Sequence, residues 1–89
     1  EENTLKALEK GSGILLSGLK EGKAEATIEE ELVNLSKELE IKINGVFQPI
    51  RVAITNSTVS LPLFDSISLM GLDETEKRLE RAIKNFKEN

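Results

Sequence analysis

The chain is 89 residues long, carries a formal charge of -4, and contains neither cysteine nor histidine. Those absences exclude a disulfide framework, a thiol nucleophile, a thiolate or imidazole zinc site, and an imidazole general base. The 16 acidic residues leave a carboxylate-only hydrolase or a hard-cation site open on composition, while no apolar run approaches the roughly 18 residues that a membrane span needs.

In chain order, Leu5, Leu8, Ile14, Leu15 and Leu19 fall on loose helical spacing. Gly11 and Gly13 interrupt it, each costing a helix interior about 1 kcal/mol relative to alanine. One kinked helix and a helix–turn–helix both fit, with residues 21–25 as the exit loop. Thr27 followed by Glu30 has capping-box spacing and predicts a helix from Thr27 to Glu40. Ile28, Leu32, Leu35 and Leu39 then share one face, and Glu29, Glu30 and Glu31 occupy a first turn where the helix dipole favours them. Asn44-Gly45 marks a turn. Ile41–Ile43 against Val46-Phe47 alternates enough for a short hairpin, but Pro49 argues against it, so no sheet is expected. Pro49 instead suits the first turn of a short buried helix ending near Ile54, with Arg51 as its one charge.

Thr55-Asn56-Ser57-Thr58 reads as a polar loop, after which Ser60 can cap a helix with Pro62 in its first turn. That helix contains Leu63, Phe64, Ile67 and Leu69, and Gly71 supplies positive φ at its end. Asp73 with Glu76 repeats the capping-box spacing for a last helix. Its buried stripe is Leu79, Ala82, Ile83 and Phe86, and its wet side carries Lys77, Arg78, Glu80, Arg81, Lys84 and Lys87. The sum is an all-α single domain over residues 1–89, a bundle of about five helices. Its expected core is Leu32, Leu35, Leu39, Phe47, Ile50, Ile54, Phe64, Ile67, Leu79, Ile83 and Phe86.

Charge is unevenly spread. Residues 1–45 hold 6 lysines against 10 glutamates, and between Val46 and Leu72 the only charged residues are Arg51 and Asp65. A stretch that neutral is either buried or presented to a partner that does not want a dense salt-bridge lattice. Phosphate contacts dominate nucleic-acid affinity and call for a basic face. On composition alone, a helical packing or accessory module therefore ranks ahead of a nucleic-acid binder. The sole methionine is Met70, so the chain reads as processed or as part of something longer.

No cluster of residues points to catalysis. Glu29-Glu30-Glu31 reads as a solvated helix turn, and Gly11, Gly13 and Gly18 lack the Lys-Ser/Thr pair of a phosphate loop. Arg78, Arg81, Lys84 and Lys87 form a basic ridge that Glu74, Glu76 and Glu80 offset as ordinary surface pairs. Arg51 admits two readings. It either snorkels or pairs with Asp65 or an acid of the second helix, or it is a guanidinium held rigidly to meet a phosphate or a base edge. The hydroxyl-rich loop and helix start beside it add donors.

The segment Phe47–Gly71, FQPIRVAITNSTVSLPLFDSISLMG, resembles the end of the C-terminal anticodon-binding domain of bacterial-type glutamyl-tRNA synthetases. Gln48, Pro49, Arg51, Ala53 and Thr55 match a first block, with Ile50 and Ile54 standing for leucines. Pro62, Leu63, Phe64, Asp65 and Gly71 match a second, and Leu79-Glu80-Arg81-Ala82 resembles the closing helix. Asn56 stands where the family usually has glycine, and Leu61 where proline or a small residue is common. The resemblance implies a small orthogonal helical bundle from a class I aminoacyl-tRNA synthetase. Such a piece reads the anticodon loop of tRNA(Glu) and has no cofactor of its own, while preceding domains use ATP with Mg2+ to charge the tRNA. It also implies a cytoplasmic protein and a monomeric fragment with no membrane partner. By position, Arg51, Ser60 and Leu63 are the residues nearest the anticodon bases, with Thr55, Asn56, Ser57, Thr58 and Leu61 around them. Because the chain is acidic, it is expected to fold alone yet bind tRNA poorly without the other domains.

Overall fold

Apolar residues recur at intervals of three and four along most of the chain, and most of the chain is helical. The computed structural model describes residues 2–55 and 62–88. These form α1 (Glu2–Glu21), α2 (Glu25–Glu38), α3 (Asn44–Thr55), α4 (Leu63–Met70) and α5 (Leu72–Glu88), with no strand among the described residues. The expected all-α architecture of five helices is what the sequence builds.

The first segment is one unbroken helix of 20 residues, not a helix–turn–helix. Its interior glycines have a packing reason. A Cβ on Gly11 would lie 2.8 Å from Ile50 Cδ1, and one on Gly18 would lie 2.6 Å from Ile28 Cγ1. The two glycines let α3 and α2 approach α1 closely, which offsets a helix cost of about 1 kcal/mol each.

Helix α3 packs against all four other helices. Val46, Ile50 and Ile54 lie one turn apart and are fully buried, which explains why the surrounding sequence is nearly free of charge. That buried stripe also extends the helix backwards. Asn44-Gly45 is therefore the start of α3 rather than a free turn, with the Ile43 carbonyl accepting from the Val46 and Phe47 amides at 3.0 and 3.1 Å. Pro49 consequently lies inside the helix, not in its first turn. Without an N–H it cannot donate to the Gly45 carbonyl.

Neither expected capping box forms. Helix α2 begins after Ala24, which makes no side-chain cap, so Thr27 is already helical. The Ile28 amide donates to the Ala24 carbonyl at 3.1 Å. Lys23 in the short link bonds Glu31 at 3.0 Å, tying the link to the second turn of α2. Helix α5 begins at Leu72, so Asp73 is helical too, and Glu76 accepts from Lys20 of α1 at 3.0 Å instead of reaching back. The junction between α4 and α5 turns on Gly71, at φ 88° as expected. Its amide donates to the Ile67 carbonyl at 2.8 Å, and its carbonyl accepts both the amide and the hydroxyl of buried Thr75.

The core contains the expected Leu32, Leu35, Ile50, Ile54, Phe64, Ile67 and Leu79, together with Ala7, Leu8, Leu15, Ile28, Val46 and Leu63. Leu39, Phe47 and Ile83 are only half-buried against it, and Phe86 is likewise half-buried. No helix among the described residues is long and apolar enough to cross a membrane.

Candidate nucleic-acid interface

Arg51 lies one turn before the end of α3, flanking the buried stripe Val46–Ile50–Ile54 that fixes the helix. The residue is half-buried, and its Nε is fully buried without a hydrogen-bond partner among the described residues. The pairing of Arg51 with Asp65 or an acid of the second helix, one branch of the first reading, is not made among the described residues. Asp65 is exposed in the first turn of α4, where the helix dipole accommodates it, and no ion pair among the described residues involves Arg51. A buried guanidinium N–H left unpaired costs about 1–3 kcal/mol or more.

Thr55, four residues on, shares the Arg51 face of the helix. Its hydroxyl donates to the Arg51 carbonyl at 2.7 Å and so pins the last turn of α3 from within. Asn56, Ser57, Thr58, Ser60 and Leu61 lie outside the described residues, as does the expected Ser60 cap. The N-cap of α4 is Pro62, whose carbonyl accepts the Ser66 amide at 3.1 Å. Leu63 has a different place from the one the resemblance implies. It is only 4% exposed and belongs to the core, because the first turn of α4 packs inward. The structure thus brings Arg51 and Thr55 together at the end of α3 and buries Leu63 in the core.

The sequence reading missed Arg78. It is not a plain ridge residue: Nε donates to Glu74 Oε2 at 2.9 Å, and Nη1 donates to the main-chain carbonyl of Ile54 in the last turn of α3. The guanidinium holds the Glu74 carboxyl below its ordinary pKa, chiefly through that hydrogen bond, against a smaller opposing effect of burial. An open groove of about 810 Å³ runs between α1, α3 and α5, walled by Pro49, Val52, Arg81 and Phe86. Arg51 does not line it. Among the described residues no group of three or more acidic side chains is placed to hold a metal ion.

Arg51, Thr55 and Arg78 thus gather at the C-terminal end of α3 in an all-helical domain. The chain belongs to the anticodon-binding domain family, whose model matches residues 1–83. The curated relatives it matches include glutamate–tRNA ligases. One from Zymomonas mobilis is 35% identical over 86 residues, covering 90% of this chain and 18% of its own length. Another from Streptomyces avermitilis is 33% identical over 93% of this chain, and one from Campylobacter hominis is 39% identical over 94%. The chain spans only about a fifth of the length of these relatives, 18% in each case. No solved structure matches it at the same stringency.

Proposed function

We propose that this domain recognises the anticodon of tRNA(Glu) as the C-terminal part of a glutamate–tRNA ligase. Glutamylation itself, with its ATP and Mg2+, is assigned to the rest of that enzyme in the cytoplasm. The observation that carries the reading is the family match over residues 1–83, with Arg51 as a half-buried guanidinium near the end of α3 whose Nε makes no hydrogen bond among the described residues. Unstacked bases and phosphates in a single-stranded loop offer acceptors to the solvent-facing part of such a guanidinium. The net charge of -4 fits a domain that reads bases while most phosphate contacts are made elsewhere.

Burial of Leu63 favours a second reading, in which the matching positions serve packing and the domain is a structural or protein-interaction module. Glutamylation of tRNA(Glu) and of transcripts with a substituted anticodon, by the full-length protein, separates the two. Anticodon reading requires kcat/KM to fall for the substituted transcripts by about tenfold or more per altered base contact. Equal rates for all transcripts leave only the packing role.

A further inference from the structure

Arg78 joins two elements that an ordinary surface ion pair would leave apart. Its Nε is held by Glu74 one turn back on α5, and its Nη1 reaches a carbonyl 24 residues away at the end of α3. The last turn of α3 contains no basic residue. The final carbonyls of a helix have no intrahelical donors and carry the negative end of the helix dipole. Helix α3 therefore borrows its C-terminal cation from α5. The choice of arginine matters, because one edge of the planar fork can be fixed by Glu74 while another is aimed at the carbonyl. The Ile54 side chain is fully buried, so the carbonyl that Arg78 grips belongs to a residue anchored in the core.

Arg51 lies three residues before Ile54, within the same closing turns of α3, and its own carbonyl is tied to the Thr55 hydroxyl. Fraying of that end would swing the Arg51 guanidinium and move the point where the chain leaves the helix. We propose that Arg78 is a positioning residue for anticodon recognition: it caps α3 from α5 and so fixes the bearing of Arg51. It needs no RNA contact of its own. The functional half of this proposal rests on the anticodon reading above; the capping half does not.

The test uses Arg78→Met, which keeps the aliphatic stem and removes both hydrogen bonds, beside Arg78→Lys, which keeps the charge but loses the fork. Amide hydrogen exchange of the chain reads the cap directly. In Arg78→Met the amides of the last turn of α3 should exchange about tenfold faster, the scale of one hydrogen bond to a charged group, while α1 keeps its native rates. Arg78→Lys should fall between. In the full-length protein, Arg78→Met should raise the KM for tRNA(Glu) about five- to tenfold, with the effect in KM rather than kcat. Should Arg78→Met not fold, Glu74→Gln carries the same test, with about two- to threefold faster exchange in that turn as the hold on the fork is loosened.

Equal acceleration in α1 and α3 would overturn the cap. A loosened α3 end with an unchanged KM would overturn the positioning role. Arg51→Ala tells the two failures apart. If it raises the KM while Arg78→Met does not, only the positioning role falls; if neither does, the anticodon reading falls with it.

Discussion

Three glycines in one helix should respond to the same substitution in three different ways. Replacing glycine by alanine inside a helix gains about 1 kcal/mol from backbone entropy and propensity. At Gly13 nothing lies within 4 Å of the added Cβ and the site is exposed, so Gly13→Ala should stabilise the chain by about 1 kcal/mol. At Gly11 the Cβ meets only the terminal Cδ1 of Ile50 closely, at 2.8 Å, with the next atom at 3.5 Å. A small shift of that methyl offsets the gain and leaves Gly11→Ala near neutral. At Gly18 the Cβ falls 2.6 Å from Ile28 Cγ1 and 2.8 Å from its Cδ1. Ile28 is fully buried and β-branched, so it cannot swing clear. Overpacking of this kind costs about 1–3 kcal/mol, so Gly18→Ala should be destabilising by up to about 2 kcal/mol net. Urea titrations followed by circular dichroism should rank the midpoints Gly13→Ala, Gly11→Ala, Gly18→Ala, and thermal melts should place the extremes up to about 12–24 °C apart in Tm for a domain of this size. A stabilising Gly18→Ala, equal to Gly13→Ala, would refute the close approach of α1 and α2.

Three other outcomes follow from single features. Glu40 sits at φ 57° just past α2, in a turn where its amide bonds the Lys37 carbonyl and the Ile41 amide bonds that of Ser36. The same bond pattern after α1 uses Gly22, so Glu40→Gly should stabilise by about 1 kcal/mol in denaturant titrations. Leu79 is the fully buried leucine of α5, and Leu79→Ala should cost about 2–5 kcal/mol and lower Tm accordingly. Glu74 has its pKa lowered by Arg78, so it binds fewer protons folded than unfolded. The stability it contributes is present above the ordinary carboxylate pKa of about 4 and is lost as pH falls through the lowered value. Glu74→Gln should therefore flatten the acid limb of a Tm–pH profile and leave its slope near neutrality unchanged.

Periodicity showed what local rules control and hid what tertiary contacts control. The stripes Ile28–Leu32–Leu35 and Ile50–Ile54 were readable because a buried helix face repeats every three or four residues. Gly71 was readable because positive φ has few tenants. The helix starts were not, since Thr27-x-x-Glu30 and Asp73-x-x-Glu76 have the right spacing whether or not the chain turns there. The early start of α3 depends on Val46 being buried against other helices, which no window around Pro49 reveals. At the site, Arg51 stood out by its isolation among apolar residues. The resemblance carried Leu63 in by position alone, and its burial is a property of the packed bundle. Glu74 and Arg78 were visible as a helical pair, but the Ile54 carbonyl is 24 residues distant.

The most direct test is aminoacylation kinetics of Arg51→Ala in the full-length protein, on tRNA(Glu) and on anticodon-substituted transcripts, with Tm measured alongside. A base contact predicts a loss of about 1–3 kcal/mol in kcat/KM for tRNA(Glu) and relaxed discrimination at one anticodon position. A phosphate contact predicts a roughly equal loss for every transcript and a salt slope smaller by about one. Because the Arg51 Nε has no partner among the described residues, the substitution should leave Tm unchanged or raised. Unchanged kinetics with a lowered Tm would contradict the account and make Arg51 a packing residue.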